Sequence, residues 1–214
     1  MIGTLIRMID PPDCIACQKP GEYLCVGCAQ TSLVAKVPSC FYCNALTIDG
    51  RACKTCQRKS KLRGVHVLWR MDGAAKDLVY TLKFGNDRGV AQFVARHLVN
   101  QFNLADYDII TFIPSDGPTL RRRGYNQADL LARAVARRLG KHRTPTLLRT
   151  RHIRQVGQSR TKRFESVVDN FICNNAKGVM GKRVLLVDDV LTTGATMSEC
   201  ARILRAAGAK QVWG

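Results

Sequence analysis

The sequence predicts an α/β protein, a parallel sheet flanked by helices, preceded by a cysteine-rich metal-binding module. Three observations predict it. Eight of the ten cysteines fall into four Cys-x-x-Cys pairs, all before residue 57. Beyond residue 60, short apolar runs alternate with helical patterns, as in strands joined by crossover helices. Finally, the apolar run from Val184 to Val187 ends on Asp188-Asp189, and Thr192-Thr193-Gly194-Ala195-Thr196 then leads into a helical pattern.

The elements follow in order. Val65 to Trp69 is mostly apolar and reads as a first strand. Ala74 to Phe84 reads as a helix with Leu78, Val79 and Leu82 on one face, and Val90 to Phe102 as a second, carrying Phe93, Val94, Leu98 and Val99. Ile109 to Ile113 is a β-branched and aromatic strand stopped by Pro114. Gln127 to Leu139 is the clearest helix: Asn126 caps it, Gly140 ends it, and Leu130, Leu131, Ala134 and Val135 face inward. Val184 to Val187 is a buried strand, Thr196 to Ala207 a helix closed by Gly208, and Val212-Trp213 begins another strand.

Composition bounds the function. With 46% hydrophobic residues in 214, a packed core is expected and global disorder is not. No window approaches the ~20 apolar residues of a membrane span. Met1 to Pro12 is interrupted by Arg7 and Asp10, so no secretory signal is expected; with the cysteine pattern this places the protein in the reducing cytoplasm. The formal net charge is +18, and two zinc ions on eight thiolates would bring it to about +14. Either value attracts polyanions.

The cysteine spacing is Cys14-x2-Cys17, x7, Cys25-x2-Cys28, x11, Cys40-x2-Cys43, x9, Cys53-x2-Cys56. Each knuckle can direct two sulfurs at one tetrahedral ion, and two knuckles close its coordination, leaving no position for a substrate water. The expectation is one or two structural zinc ions in a double ribbon over residues 1–60, with residues 61–214 forming the α/β domain. Short x7 and x9 loops favour sequential pairing, although interleaved pairing is also open. Cys173 and Cys200 stand apart and read as small buried hydrophobes.

Small residues from Thr192 to Thr196 let several backbone N–H groups converge on one anion, helped by the helix N-terminus. Two adjacent carboxylates can accept hydrogen bonds from vicinal hydroxyls. A phosphate beside a diol describes a ribose 5-phosphate. An acidic strand end also occurs in P-loop ATPases, but G-x-x-x-x-G-K-[ST] is absent from this sequence.

Val184 to Thr196 resembles the phosphoribosyl pyrophosphate motif of type I phosphoribosyltransferases. With the cysteine module in front, nearly the whole chain resembles the ComF family, linked to natural competence. Leu82-Lys83-Phe84, Ile113-Pro114, Arg123-Gly124-Tyr125-Asn126-Gln127-Ala128, Gln155-Val156-Gly157 and Arg163 support this. The resemblance implies a type I phosphoribosyltransferase-like sheet over residues 61–214. In it Asp188 and Asp189 bind the ribose hydroxyls and act as the catalytic pair, and Thr192, Thr193, Gly194, Ala195 and Thr196 cradle the 5-phosphate. Ser115 and Asp116 lie in the pyrophosphate loop, with Arg121 to Arg123 adding charge. Arg149 to Arg163 forms the loop that closes over the site, and magnesium bridges ligand oxygens. Hypoxanthine–guanine salvage enzymes carry an aspartate where this chain has Thr192, which argues against that activity. The family usually has an asparagine near Ser166, and its chains commonly run past Gly214.

Between Leu120 and Arg163 stand 14 Lys or Arg and one acid, Asp129. Arg121, Arg122, Arg123, Arg133 and Arg137 are candidate contacts to a nucleic-acid backbone, with Arg138 beside them. Tyr125 and Phe164 are the nearest aromatics. The family implies DNA uptake with single-stranded DNA and a helicase-like competence partner. The alternative is an active phosphoribosyltransferase of nucleotide metabolism, a glycosyltransferase whose acceptor the sequence does not name.

Overall fold

The computed structural model describes residues 11–85, 87–150 and 170–214. The second and fourth cysteine knuckles each open a short helix, α1 (Val26–Ser32) and α2 (Lys54–Gln57), with Cys25 and Cys53 at their N-caps. Then come α3 (Gly73–Phe84), α4 (Gly89–Gln101), β1 (Ile109–Phe112), α5 (Gly117–Arg123) and α6 (Gln127–Arg138). The chain continues with β2 (Leu147–Arg149), β3 (Phe171–Cys173), α7 (Ala176–Val179), β4 (Arg183–Val187), α8 (Ala195–Ala206) and β5 (Gln211–Trp213). No helix among the described residues is long and apolar enough to cross a membrane.

β1, β4 and β5 pair in parallel in the order β1-β4-β5, with Ile109 opposite Val184 and Val184 opposite Val212. Single bridges widen the sheet at both edges, Leu62 to Val212 and Ile110 to Arg143. The unbroken apolar run of β4 suits a strand covered on both faces. Val184 and Leu186 join Met197, Cys200 and Leu204 of α8 in one core. Leu185 and Val187 join Leu78, Phe93, Leu131 and Val135 of α3, α4 and α6 in the other. β1 thus leads to a helix on one face and β4 to a helix on the opposite face. The carboxyl ends of these neighbouring strands border the crevice where such sheets bind ligands.

Helical expectations hold to within about a residue at each end. Asn126 caps α6, its Oδ1 accepting from Ala128 N at 2.9 Å and Asp129 N at 3.4 Å. Val65 to Trp69 does not form the expected strand. Leu62 makes the bridge to β5 instead, and the ladder continues only to His66, whose N–H donates to Gly214 O. Beyond it the chain turns to the cysteine module, where Trp69 bridges Ala35 and Arg70 N donates to Val34 O. Between this segment and β4 lies a cavity of about 720 Å³, walled by Val67, Trp69, Leu186 and Val187. An antiparallel β2–β3 pair adds two strands without a sequence signature, because they are short, half exposed and carry little pattern. Cys200 is fully buried as expected, whereas Cys173 in β3 is only half-buried.

The cysteine segment packs onto the sheet domain. Cys14, Tyr23 and Leu24 enter the core with Leu78 and Val90, and the Tyr23 hydroxyl donates to the Asp87 carboxylate at 2.6 Å. Phe41 packs against the core on the α8 side.

Thr111 of β1 and Thr146 are both fully buried, their hydroxyls 2.8 Å apart. Thr111→Val leaves the Thr146 hydroxyl without this partner and is expected to lower stability by about 1–3 kcal/mol. The double change with Thr146→Val should recover most of that loss. Denaturant unfolding of the three proteins checks it.

Candidate functional site

The two cysteine clusters are built alike. Cys14, Cys17, Cys25 and Cys28 bring their sulfurs within 4.8 Å of one another, as do Cys40, Cys43, Cys53 and Cys56. This is the sequential arrangement. In each, the residue after the second cysteine takes positive φ, Gln18 at 61° and Asn44 at 59°, and its N–H donates to the carbonyl of Cys14 or Cys40 at 2.8 Å. The Cys17–Cys25 and Cys43–Cys53 sulfurs stand 3.7 Å apart. That is far beyond a disulfide bond, but it matches the ~3.75 Å edge of a tetrahedron with Zn–S distances near 2.3 Å.

Local electrostatics agree with a dication. The Cys25 backbone N–H, with those of Cys17 and Ala16, lowers the Cys14 thiol to about 6 despite its burial. Cys28 is pushed up to about 12, chiefly because Cys25 and Cys17 compete for the same negative charge. Four sulfurs so close carry four charges only with a cation among them. Both clusters fit zinc, which would fix the knuckles with no coordination position left open.

The second feature lies at the carboxyl ends of β1 and β4. Asp188 and Asp189 follow β4 directly, both partly buried, and Asp188 Oδ1 accepts the Asp189 backbone N–H at 2.9 Å. Burial first, then the neighbouring Asp189 carboxylate, pushes the Asp188 carboxyl up to about 8. Lys83, in the last turn of α3, places Nζ 2.8 Å from Asp189 Oδ2. The sequence had offered Leu82-Lys83-Phe84 only as a family-like piece. A lysine ending an otherwise apolar helical face was the available signal for its partnership with the acidic pair.

After the acidic pair, Thr192 and Thr193 are exposed and Gly194 is buried with φ 72°. Gly194 is the N-cap of α8 and has no side chain with which to cap it. Thr193 Oγ1 accepts from Ala195 N at a long 3.4 Å. An uncapped twelve-residue helix flanked by exposed threonine hydroxyls offers donors to an anion.

Across the crevice, Ser115 and Asp116 follow β1. Asp116 caps α5, Oδ1 accepting Thr119 N at 2.6 Å, and that N–H holds its carboxyl below the usual range. Gly124 ends α5 with φ 75°, the Tyr125 hydroxyl donates to Leu82 O at 2.7 Å, and Asn126 Nδ2 donates to Ile113 O at 2.9 Å. The Arg-Gly-Tyr-Asn-Gln-Ala stretch therefore ties α3 and β1 together beside the site.

Of the basic candidates, Arg121, Arg122 and Arg137 are exposed. Arg123 lies over the Phe84 ring, 4.9 Å from its centroid. Arg133 is exposed but holds Asp129 at 3.1 Å, and Arg143 holds the same carboxylate at 3.1 Å. The expected closing loop falls largely at residues 151–163, which, with Phe164 and Ser166, lie outside the described residues.

The family profile described as phosphoribosyl transferase domain matches residues 126–213. The chain is 29% identical over 207 residues to Competence protein F of Haemophilus influenzae, covering 89% of each. It is 27% identical over 217 residues to Competence protein ComFC of Streptococcus pneumoniae, covering 97% of this chain and 88% of that one. It is 33% identical over 147 residues to DNA utilization protein YhgH of Salmonella typhi, covering 64% of each.

The Asp188 environment sets a pH dependence. Its carboxyl has an ordinary value of 3.8 and is held near 8 in the folded chain, so between those values the folded state binds the extra proton. Stability from this group therefore falls as pH rises from about 4 to about 8. Asp188→Asn should leave stability nearly unchanged at pH 4.5 and raise it by on the order of 1 kcal/mol or more at pH 8.5. Thermal unfolding across that range measures it.

Proposed function

We propose, for a chain that belongs to the ComF family of competence-associated proteins with a phosphoribosyltransferase domain, that it binds phosphoribosyl pyrophosphate with magnesium and acts in DNA uptake through contact with single-stranded DNA. One observation carries the ligand: an acidic pair at the end of β4 runs within a few residues into the uncapped N-terminus of α8, at the crevice between β1 and β4.

Asp188 and Asp189 accept the ribose hydroxyls, while Thr192 to Thr196 surround the 5-phosphate with hydroxyl and backbone donors. Lys83 balances the acidic pair and keeps Asp189 oriented. The pyrophosphate lies toward Ser115 and the backbone after β1, because the Asp116 carboxylate is engaged in capping α5. Magnesium would be held mainly by ligand oxygens and would offset pyrophosphate charge.

The DNA role is supported by the basic stretch from Leu120 to Arg163 and by relatives named for competence and DNA utilization. Arg121, Arg122 and Arg137 are exposed cations that suit a phosphate backbone. A helicase-like partner would act on the same strand.

Calorimetry with phosphoribosyl pyrophosphate and Mg²⁺, with and without single-stranded DNA, tests this reading. Binding is expected for the wild type and lost in Asp188→Asn with Asp189→Asn, and transformation should be lost in cells carrying that double variant. DNA affinity should fall steeply with salt, and Arg121→Ala with Arg122→Ala should flatten the log–log slope by up to about 1.4, from ~0.7 per single-strand phosphate contact. Transformation unchanged by the double aspartate variant, or a salt-independent DNA affinity, would contradict it.

A further inference from the structure

The second cysteine cluster touches the candidate phosphate loop through the two residues inside its first knuckle. Between Cys40 and Cys43 stand Phe41 and Tyr42, their rings 3.9 Å apart between centroids. Phe41 lies against Gly194, so closely that a Cβ on that glycine would come within 3.1 Å of Phe41 Cδ2. The Tyr42 hydroxyl is 3.0 Å from Ser198 Oγ, and Ser198 N donates to Gly194 O at 2.8 Å in the first turn of α8. The knuckle itself is held by Cys40 N donating to Ala45 O and Asn44 N donating to Cys40 O, both 2.8 Å. The first cluster faces elsewhere: Ile15, inside its knuckle, packs against the core of α3 and α4.

We propose that Phe41 and Tyr42 are positioning residues for the Gly194 turn, and that zinc in the cluster of Cys40, Cys43, Cys53 and Cys56 thereby sets the affinity of this loop for its sugar-phosphate ligand. The inference rests on the phosphoribosyl pyrophosphate reading of the site. Gly194 is in the left-handed region with no side chain of its own, and the N–H groups that follow it aim correctly only while that turn is held. The Phe41 ring braces one side, and Tyr42 clamps the first helical turn at Ser198. Both depend on the knuckle, which a bound ion makes rigid. Because ligand and ion act on one loop, each must raise the affinity of the other by the same factor.

The test uses the full chain loaded with zinc, titrated with phosphoribosyl pyrophosphate and Mg²⁺ by calorimetry. Phe41→Ala should weaken binding at least about fivefold, the lower end of typical couplings. Tyr42→Phe removes one hydroxyl from a side chain that is 39% exposed, so it should fold as the wild type does yet bind more weakly. Phe41→Tyr, which keeps the ring, should bind as the wild type does. A merely structural role would move the melting temperature of these variants without separating their affinities. In the reciprocal measurement, zinc release to a chromogenic chelator is followed with and without the ligand. The ligand should slow release of one of the two ions and leave the other unchanged.

If the wild type does not bind, the reading of the site falls and this inference with it. If the wild type binds, but Tyr42→Phe binds equally well and both ions leave at ligand-independent rates, the inference alone is overturned. Should Phe41→Ala fail to fold, Tyr42→Phe and the release kinetics still decide.

Discussion

Ending a doubly covered parallel strand on two adjacent carboxylates carries a desolvation cost, and much of the neighbouring structure is arranged to meet it. Asp188 responds by holding its proton up to about pH 8, while Asp189 is matched by Lys83 at 2.8 Å. Beside Lys83, the Tyr125 hydroxyl fastens the end of α3 through Leu82 O. Asn126, next in sequence, fastens the start of α6 to the end of β1. The Arg-Gly-Tyr-Asn-Gln-Ala stretch is thus a brace around the site, and none of its side chains needs to touch a ligand to matter.

The acidic pair and the α8 turn were readable because each residue type there answers a local demand. Glycine takes φ 72°, the threonines stay exposed, and β4 is apolar because it is buried on both faces. The partner of the pair was not readable. Lys83 and Asp189 lie over 100 positions apart, and only the packing of α3 against the sheet brings them together. The same limit explains Val65 to Trp69: its composition suits a strand, but backbone partners decide, and past His66 these come from the cysteine segment. Asp116, read from the sequence only as part of the pyrophosphate loop, is engaged as the cap of α5, a helix too short to leave an apolar period.

The cysteine segment reads in sequence as a self-contained module; the knuckle spacing marks the eight candidate ligands and favours the sequential pairing, which the two four-cysteine clusters then show. Its contacts extend further. The two clusters repeat one turn geometry, yet the first packs on the core of α3 and α4 while the second meets α8. The residues making these contacts, Tyr23 and Phe41, are aromatic positions between cysteines that a ligand-spacing pattern treats as filler. A metal ion in each cluster would therefore support more than the ribbon, since part of the sheet domain packs against each cysteine segment.

On the proposed reading, the loop from Thr192 to Thr196, with the acidic pair before it, binds a phosphorylated ribose. Backbone amide resonances of the isotope-labelled chain, followed during titration with ribose 5-phosphate, test it most directly. Saturable shifts are expected that are largest at Thr193, Gly194, Ala195 and Thr196, extend to Asp188 and Asp189, and are not reproduced by ribose lacking the phosphate. Shifts confined to the basic face of α6, or equal shifts with ribose alone, would contradict it.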